Sequence, residues 1–295
     1  MNGTLAVARY TLLEISRRRI LLVFLVVGIL GIAAVGIVLK LIPTNMQGFG
    51  PPGAAAPDPA MMSRFLELNF VRYLIGVVGF FAFLIAFAIG MTAIYHDLES
   101  GSAVAIFSKP ITRIAYTIGK VAAAVVAMLL VVGLLGLEAR LLMAFFGGGL
   151  EDAMWVETVA AVANAMLLML IVLALSTWMN NIVAAIVAFI YNFVGGVVVG
   201  LHSLLGAIGA PAALTAVVNI LYWLVPHQLT SDAARQLVKA QFELFKPAQS
   251  AGAPTADQML RSVPGASGTQ DILWWAFLVV LMATLVYIAV RRRQV

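Results

Sequence analysis

The sequence predicts an all-α membrane protein with six transmembrane helices, on three observations. Hydrophobic residues make up 63% of the 295-residue chain and charged residues 11%, against about 25% charged residues in soluble domains. Several apolar runs reach the roughly 20 residues that a helix needs to cross a bilayer at about 1.5 Å per residue. Between Glu157 and Asp232 there is no Asp, Glu, Lys or Arg for 74 residues, too long a stretch for one crossing, so it must be divided.

Taken in order, the first element is an N-terminal helix. Leu5, Ala8, Leu12 and Ile15 share one helical face beside Arg9 and Arg17 to Arg19, which predicts an amphipathic helix along the inner leaflet. A first span follows at about 20–41. Its apolar run, Ile20 to Leu39, exceeds the about 7 to 15 residues of a secretory signal core, and the small residues Ala54 to Ala56 come well after its end, so it reads as a retained span. Residues 42–60 are rich in Pro, Gly and Ala and predict an irregular loop. The second and third spans lie at about 73–95 and 118–146, with a short connector at 147–156. The polar cluster Thr177 to Asn181 then divides the uncharged stretch into spans at 157–178 and 182–205, and the sixth span covers 273–290.

Ala212 to Val225 is apolar but short, and is flanked by Gly206, Gly209, Pro211 and Pro226, which suits a re-entrant or interfacial helix better than a crossing. Parity agrees. Six crossings put Arg17 to Arg19 and Arg291 to Arg293 on one side, whereas seven would separate them, against the positive-inside rule. Under six crossings the inner segments hold ten basic and three acidic residues, or +7, and the rest of the chain holds eight basic and ten acidic, or −2. Both termini are therefore expected in the cytoplasm, with the chain a multi-pass protein of the inner (plasma) membrane. Residues 206–272 form the large extracytoplasmic region. Within it Ala234, Leu237, Val238, Phe242 and Phe245 recur at helical spacing behind Thr230 or Ser231 as an N-cap, which predicts an amphipathic helix at 232–246 on the outer surface. No internal repeat is visible, and residues 1–295 read as one transmembrane domain.

The residue inventory excludes several kinds of chemistry. Zero cysteines rule out a disulfide framework, a thiolate metal site and a Cys nucleophile, and the histidines number three: His96, His202 and His227. The net charge of +5 sits beside apolar spans, where it serves orientation and anionic lipid rather than nucleic acid. Gly119-Lys120 lacks the earlier glycine and the following Ser or Thr of a phosphate-binding loop, so this chain is not expected to hydrolyse ATP. Neither GxSxG nor HExxH occurs. No catalytic residue, metal site or cofactor is predicted in this chain, and the 13 methionines read as apolar filler.

Glu138 and Arg140 are the charges inside an otherwise apolar run and form a candidate intramembrane polar site. Glu138 lies 18 residues beyond Lys120, or about 27 Å along a helix, close to the far interface. Residues two apart point in different directions round a helix, so the two are not expected to pair, and interfacial anchoring outweighs a proton or substrate role. His202 is read as interfacial in the same way.

The remaining polar interlude, residues 96–120 (HDLESGSAVAIFSKPITRIAYTIGK), is the internal loop long enough to build something. Ser100 or Ser102 can cap a short helix that runs to about Phe107, and Pro110 stops it. Val104, Ile106 and Phe107 give that helix an apolar face, which calls for a partner protein or the head-group region.

The order Glu99, Gly101, a short apolar helix, Ser108-Lys109-Pro110-Ile111-Thr112-Arg113, then Gly119-Lys120 opening the next span resembles the ABC-2 type ABC transporter permease subunits, particularly those described as involved in multi-copper enzyme maturation. The six spans, the N-terminal amphipathic helix and the segment Leu221 to Pro226 before the last span resemble the same family. The resemblance implies that the loop at 96–119 is a coupling helix seated in a cleft of a separate ATP-binding subunit. Its contact residues would be Glu99, Gly101, Val104, Ile106, Phe107, Lys109, Pro110 and Arg113. It also implies a second permease copy or paralogue, contact with membrane lipid, ATP and magnesium held by the ATPase partner, and room for an extracytoplasmic accessory protein. The expected function is export of a substrate driven by the partner's ATP hydrolysis. The alternative is an ATPase-driven membrane anchor acting through 206–272 on an extracytoplasmic partner, such as a metalloenzyme maturation factor, without bulk transport. A secondary carrier with Glu138 as ion relay is disfavoured, because inverted repeats and paired broken spans are not visible.

Overall fold

The computed structural model describes residues 3–45, 59–95, 97, 111–146, 150–245 and 255–292. These residues form ten helices and no strand: α1 (Gly3–Ser16), α2 (Arg19–Asn45), α3 (Pro59–Thr92), α4 (Arg113–Phe146), α5 (Glu151–Trp178), α6 (Asn181–Ile208), α7 (Ala212–Leu224), α8 (Ala233–Phe245), α9 (Ala256–Arg261) and α10 (Thr269–Arg292). Six of them (α2, α3, α4, α5, α6 and α10) are long and apolar enough to cross a membrane, and the chain is a multi-pass membrane protein.

Helix α5 is the axis of the bundle. Eight consecutive residues, Leu167 to Ala174, are all buried, so this part of the helix is covered on every side. Its neighbours are α3, α4, α6, α8 and α10. From α3, Leu74, Val78, Ile85 and Ile89 enter the core at helical spacing, and from α4 Met128, Val132, Leu135 and Met143 do the same. Helix α2 is peripheral: Leu21 and Ile32 are buried while Val23, Val26, Leu30 and Ile37 face outward. Helix α6 likewise turns Ile182, Ile186, Phe189, Phe193 and Val197 outward, a continuous apolar face suited to a hydrocarbon surrounding.

The starts of four spans differ from the sequence expectation, and α4 begins at Arg113 rather than near 118. Helix α3 begins at Pro59 rather than near 73 and, at 34 residues, is about 50 Å long, well beyond a hydrocarbon core of about 30 Å. Arg64, Glu67 and Arg72 interrupt the apolar run, yet the helical period carries Leu68, Phe70, Val71 and Leu74 inward, and Arg72 donates to the Gln241 carboxamide on α8. Helix α5 begins at Glu151, inside the expected 147–156 connector, because Ala153 and Met154 are already buried against the bundle. Helix α10 begins at Thr269, where the Asp271 carboxylate accepts from the Gly268 amide at 2.7 Å and satisfies a donor at the helix start.

The short helices also gain definition. Helix α1 is present, but its buried face is Val7, Thr11 and Ile15, turned toward α4; of the expected apolar face only Ile15 is buried, and Leu5 is 61% exposed. Helix α8 lies where the 232–246 helix was expected, and Ser231 caps it by accepting from the Ala233 amide at 3.1 Å. Ala233 and Leu237 are buried as α8 packs on α3 and α5. Helix α9, not foreseen, starts from a capping box between Thr255 and Gln258.

Both ends of α10 are placed by contacts. Arg113, which starts α4, donates to the Arg291 carbonyl, and the Arg292 guanidinium sits 5.5 Å from the Trp178 ring centre. The start of α4 and the ends of α5 and α10 therefore share one end of the bundle, here called its base. Near the other end the Trp275 indole donates to the Ala163 carbonyl at 3.1 Å.

Candidate functional site

The base holds a buried cluster of charges that binds α1 to both stems of the loop between α3 and α4. On α4, Tyr116 and Lys120 are four residues apart and share a face; on and just beyond α1, Glu14 and Arg18 do likewise. The Lys120 side chain is fully buried, with its ammonium 2.7 Å from Asp97 Oδ2 and 3.2 Å from Glu14 Oε2. Asp97 also accepts from the Tyr116 hydroxyl at 2.9 Å. Glu14 pairs through its other oxygen with Arg18, and Arg18 donates to the Thr92 carbonyl at the end of α3 at 3.3 Å.

Two cations and two carboxylates thus cancel. Charge balance matters because a buried ion costs several kcal/mol unless it is paired and hydrogen-bonded (about 3–5 kcal/mol when one partner is removed). Each carboxylate is held by more than one donor, so the cluster contains no group poised to attack a substrate. Its chemistry is that of a clamp. Gly119 makes the clamp sterically feasible: a Cβ there would lie 2.8 Å from the Thr4 carbonyl oxygen and 2.8 Å from Val7 Cβ, so α1 can lie this close only against glycine.

Of the residues expected to meet a partner, Glu99, Gly101, Val104, Ile106, Phe107, Lys109 and Pro110 lie outside the described residues. Arg113 is described and is engaged at the base with Arg291. Glu138 and Arg140 are not brought together. Glu138 has one buried carboxylate oxygen with no described hydrogen-bond partner, while Arg140 is exposed with its guanidinium 5.9 Å from the Trp155 ring centre. Sequence reasoning missed Glu14, Asp97, Tyr116 and Lys120. The signals that could have found them are the two spacings of four residues and the oddity of a lysine at the opening of a span.

A second polar assembly forms at the opposite end. Gly209, with φ of 62°, caps α6 in the left-handed conformation and lets the chain reverse. Helix α7 then runs back beside α6, so that Tyr222 stacks on His202 with ring centres 4.5 Å apart and on His227 at 3.9 Å. His202, read from the sequence as interfacial, is one side of an aromatic stack. Tyr222 donates to Asp271 at 3.0 Å, and His227 Nδ1 donates to the Tyr222 carbonyl at 2.8 Å. Pro226 reaches Gly195, where a Cβ would be 2.5 Å from the Pro226 carbonyl oxygen.

From Pro226 the chain is irregular, and the backbone of Leu229 bonds to a side chain of the bundle. The Asn164 carboxamide takes both polar groups of Leu229, accepting from its amide at 2.7 Å and donating to its carbonyl at 2.8 Å. Gln228 donates to Asn192 at 3.2 Å, and the Ser231 hydroxyl donates to the Glu157 carboxylate. Irregular backbone of this kind at the depth of spanning helices persists where protein groups satisfy it. Neither the models of known protein families nor the curated proteins yield a match to this chain.

Proposed function

We propose that the chain is the membrane-spanning permease subunit of an ABC-2 type ABC transporter, exporting a substrate across the inner membrane with ATP hydrolysed by a separate subunit. The observation that carries this reading is the clamp at the base: Asp97 and Lys120, one at each stem of the loop that would meet the ATPase, are joined by a buried ion pair and both tied to α1. A loop with free stems would bend under load. With its stems locked, a push on it moves α1, α3 and α4 together, and α3 and α4 pack directly on the central helix α5.

In this reading the base faces the cytosol, as the positive-inside rule requires of Arg17 to Arg19, Arg113 and Arg291 to Arg293. Helix α1 lies at the inner leaflet with Leu5, Tyr10 and Leu13 turned outward to lipid. Helix α7 is re-entrant from the outer side, and the outward face of α6 meets lipid or a second permease copy. ATP and magnesium belong to the partner, and this chain contributes no catalytic group. The packing of α8 on α3 and α5 favours the second reading as well, a membrane anchor whose motion is delivered to an extracytoplasmic partner such as a maturation factor, because that region is joined to the bundle rather than tethered to it.

The test is recovery of an ATP-binding subunit with the affinity-tagged chain from native membranes, comparing the wild type with Phe107→Asp and Ile106→Asp. A charge placed in a buried apolar contact costs several kcal/mol of association. Both variants should insert normally and lose the ATPase. Undiminished recovery and ATP turnover in Phe107→Asp would remove the coupling-helix assignment.

A further inference from the structure

A cavity of about 250 Å³ opens between α3, α5 and α6 where the irregular segment after Pro226 passes them. Gly79, Ala82 and Ala161 leave the space, and Glu157, Asn164, Asn192 and Gln228 supply the polar part of its wall. Glu157 is the one ionisable side chain in this lining, and among the described residues it forms no ion pair.

The hydrogen bonds show which atoms are left to receive a ligand. Asn164 spends one N–H and one oxygen lone pair on Leu229. One Glu157 oxygen accepts from Ser231, and Gln228 uses its nitrogen on Asn192. The second Glu157 oxygen and the Gln228 carbonyl oxygen have no donor among the described residues. The cavity thus offers a carboxylate and an amide oxygen beside an apolar wall that includes Ala82, Phe83, Ala161 and Leu168.

An anion would be repelled by the carboxylate, and an apolar solute would leave both oxygens unpaired. An ammonium group carries the opposite charge and up to three N–H donors, and so is the group that suits a lining with a carboxylate and an amide oxygen. We propose that this cavity is a binding site for a small solute bearing an ammonium group. Its volume is below the about 300–1,000 Å³ of drug-sized pockets, which restricts the solute to a few heavy atoms. The site goes beyond the permease reading, since binding there is a property of this chain alone.

The alternative role for Glu157 is structural: it orients Ser231, which caps α8. Glu157→Gln separates the two, because the amide oxygen still accepts from Ser231 while the charge is gone. The experiment is calorimetric titration of the detergent-purified full chain with ethylammonium chloride, against sodium chloride at equal ionic strength. The wild type should show saturable binding of ethylammonium and not of sodium. Glu157→Gln should weaken it on the order of tenfold or more, the loss expected for a charge-assisted hydrogen bond. Ser231→Ala, which keeps the carboxylate, should bind as the wild type does. Gln228→Leu should weaken binding several-fold and serves in place of Glu157→Gln if that variant does not fold. Absence of saturable binding, equal binding of sodium, unchanged affinity in Glu157→Gln, or equal losses in Glu157→Gln and Ser231→Ala would each overturn the proposal.

Discussion

Replacing Lys120 with Met tests whether the base is held by balanced charge. Met fills nearly the same volume, so the change removes an ammonium without opening a cavity. Asp97, 6% exposed at its side chain, and Glu14, 22% exposed, are then left with one fewer cation between them. Breaking a buried pair by removing one partner costs about 3–5 kcal/mol. The lower end applies here, about 3 kcal/mol, because Glu14 keeps Arg18 and some water and Asp97 keeps the Tyr116 hydroxyl. At roughly 2–4 °C per kcal/mol for a chain above 150 residues, unfolding should fall by roughly 6–12 °C. Thermal unfolding in detergent, followed by tryptophan fluorescence, reads this directly. The informative comparison is Lys120→Met combined with Asp97→Asn. That double variant removes one charge of each sign, leaves the Glu14–Arg18 pair, and keeps an acceptor for Tyr116, so it should melt close to the wild type although it has lost more polar contacts. The reasoning fails if Lys120→Met melts within about 2 °C of the wild type, or if the double variant is no better than the single one.

Gly119→Val should displace α1 at a cost of about 1–3 kcal/mol, because its Cβ would fall 2.8 Å from Thr4 O; trypsin should then cut faster at the exposed Arg17 and Arg19, and an unchanged cleavage rate would mean that α1 is not held there. A phosphatase active only outside the cytoplasm, fused after Val295, should be silent, since the inner segments carry +7 and the rest of the chain −2. A strong signal would mean an odd number of crossings.

What could be read from the sequence followed from local hydropathy and local chemistry. The divide at Thr177 to Asn181 is such a case: α5 ends at Trp178 and the Asn180 side chain caps α6 by accepting from the Ile182 amide, so a polar cluster became a helix start. The length and flanks of α7 similarly set it apart from the spans. The start of α3 was missed because Arg64, Glu67 and Arg72 lower the hydropathy of a segment whose charges find their partners only in the folded bundle, as Arg72 does on α8. The clamp was missed for a related reason. Lys120 becomes a buried ion only when Asp97 and Glu14 arrive from other parts of the chain, and the Tyr116–Lys120 spacing flags the face without naming those partners. Glu157 passed for a span boundary because its role depends on residues 226–231 folding back beside it, and the one local trace of that fold is Pro226.

Asn164 offers Leu229 one acceptor and one donor, the pairing that a neighbouring strand would provide. A single side chain therefore acts as a one-residue ladder between the central helix and the segment 226–231. The segment follows α6 and α7 in sequence and is bonded to α5 as well as to α6. If α5 turned about its own axis, Asn164 would carry Leu229 with it, and Ser231 would follow through Glu157, about two turns away on the same helix. Translation of α6 would instead strain the contact of Gly195 with Pro226 and the Gln228–Asn192 hydrogen bond. Residues 226–231 are thus coupled to α5 through Asn164 and Glu157 and to α6 through Asn192 and Gly195, so relative movement of the two helices would be felt in this one segment.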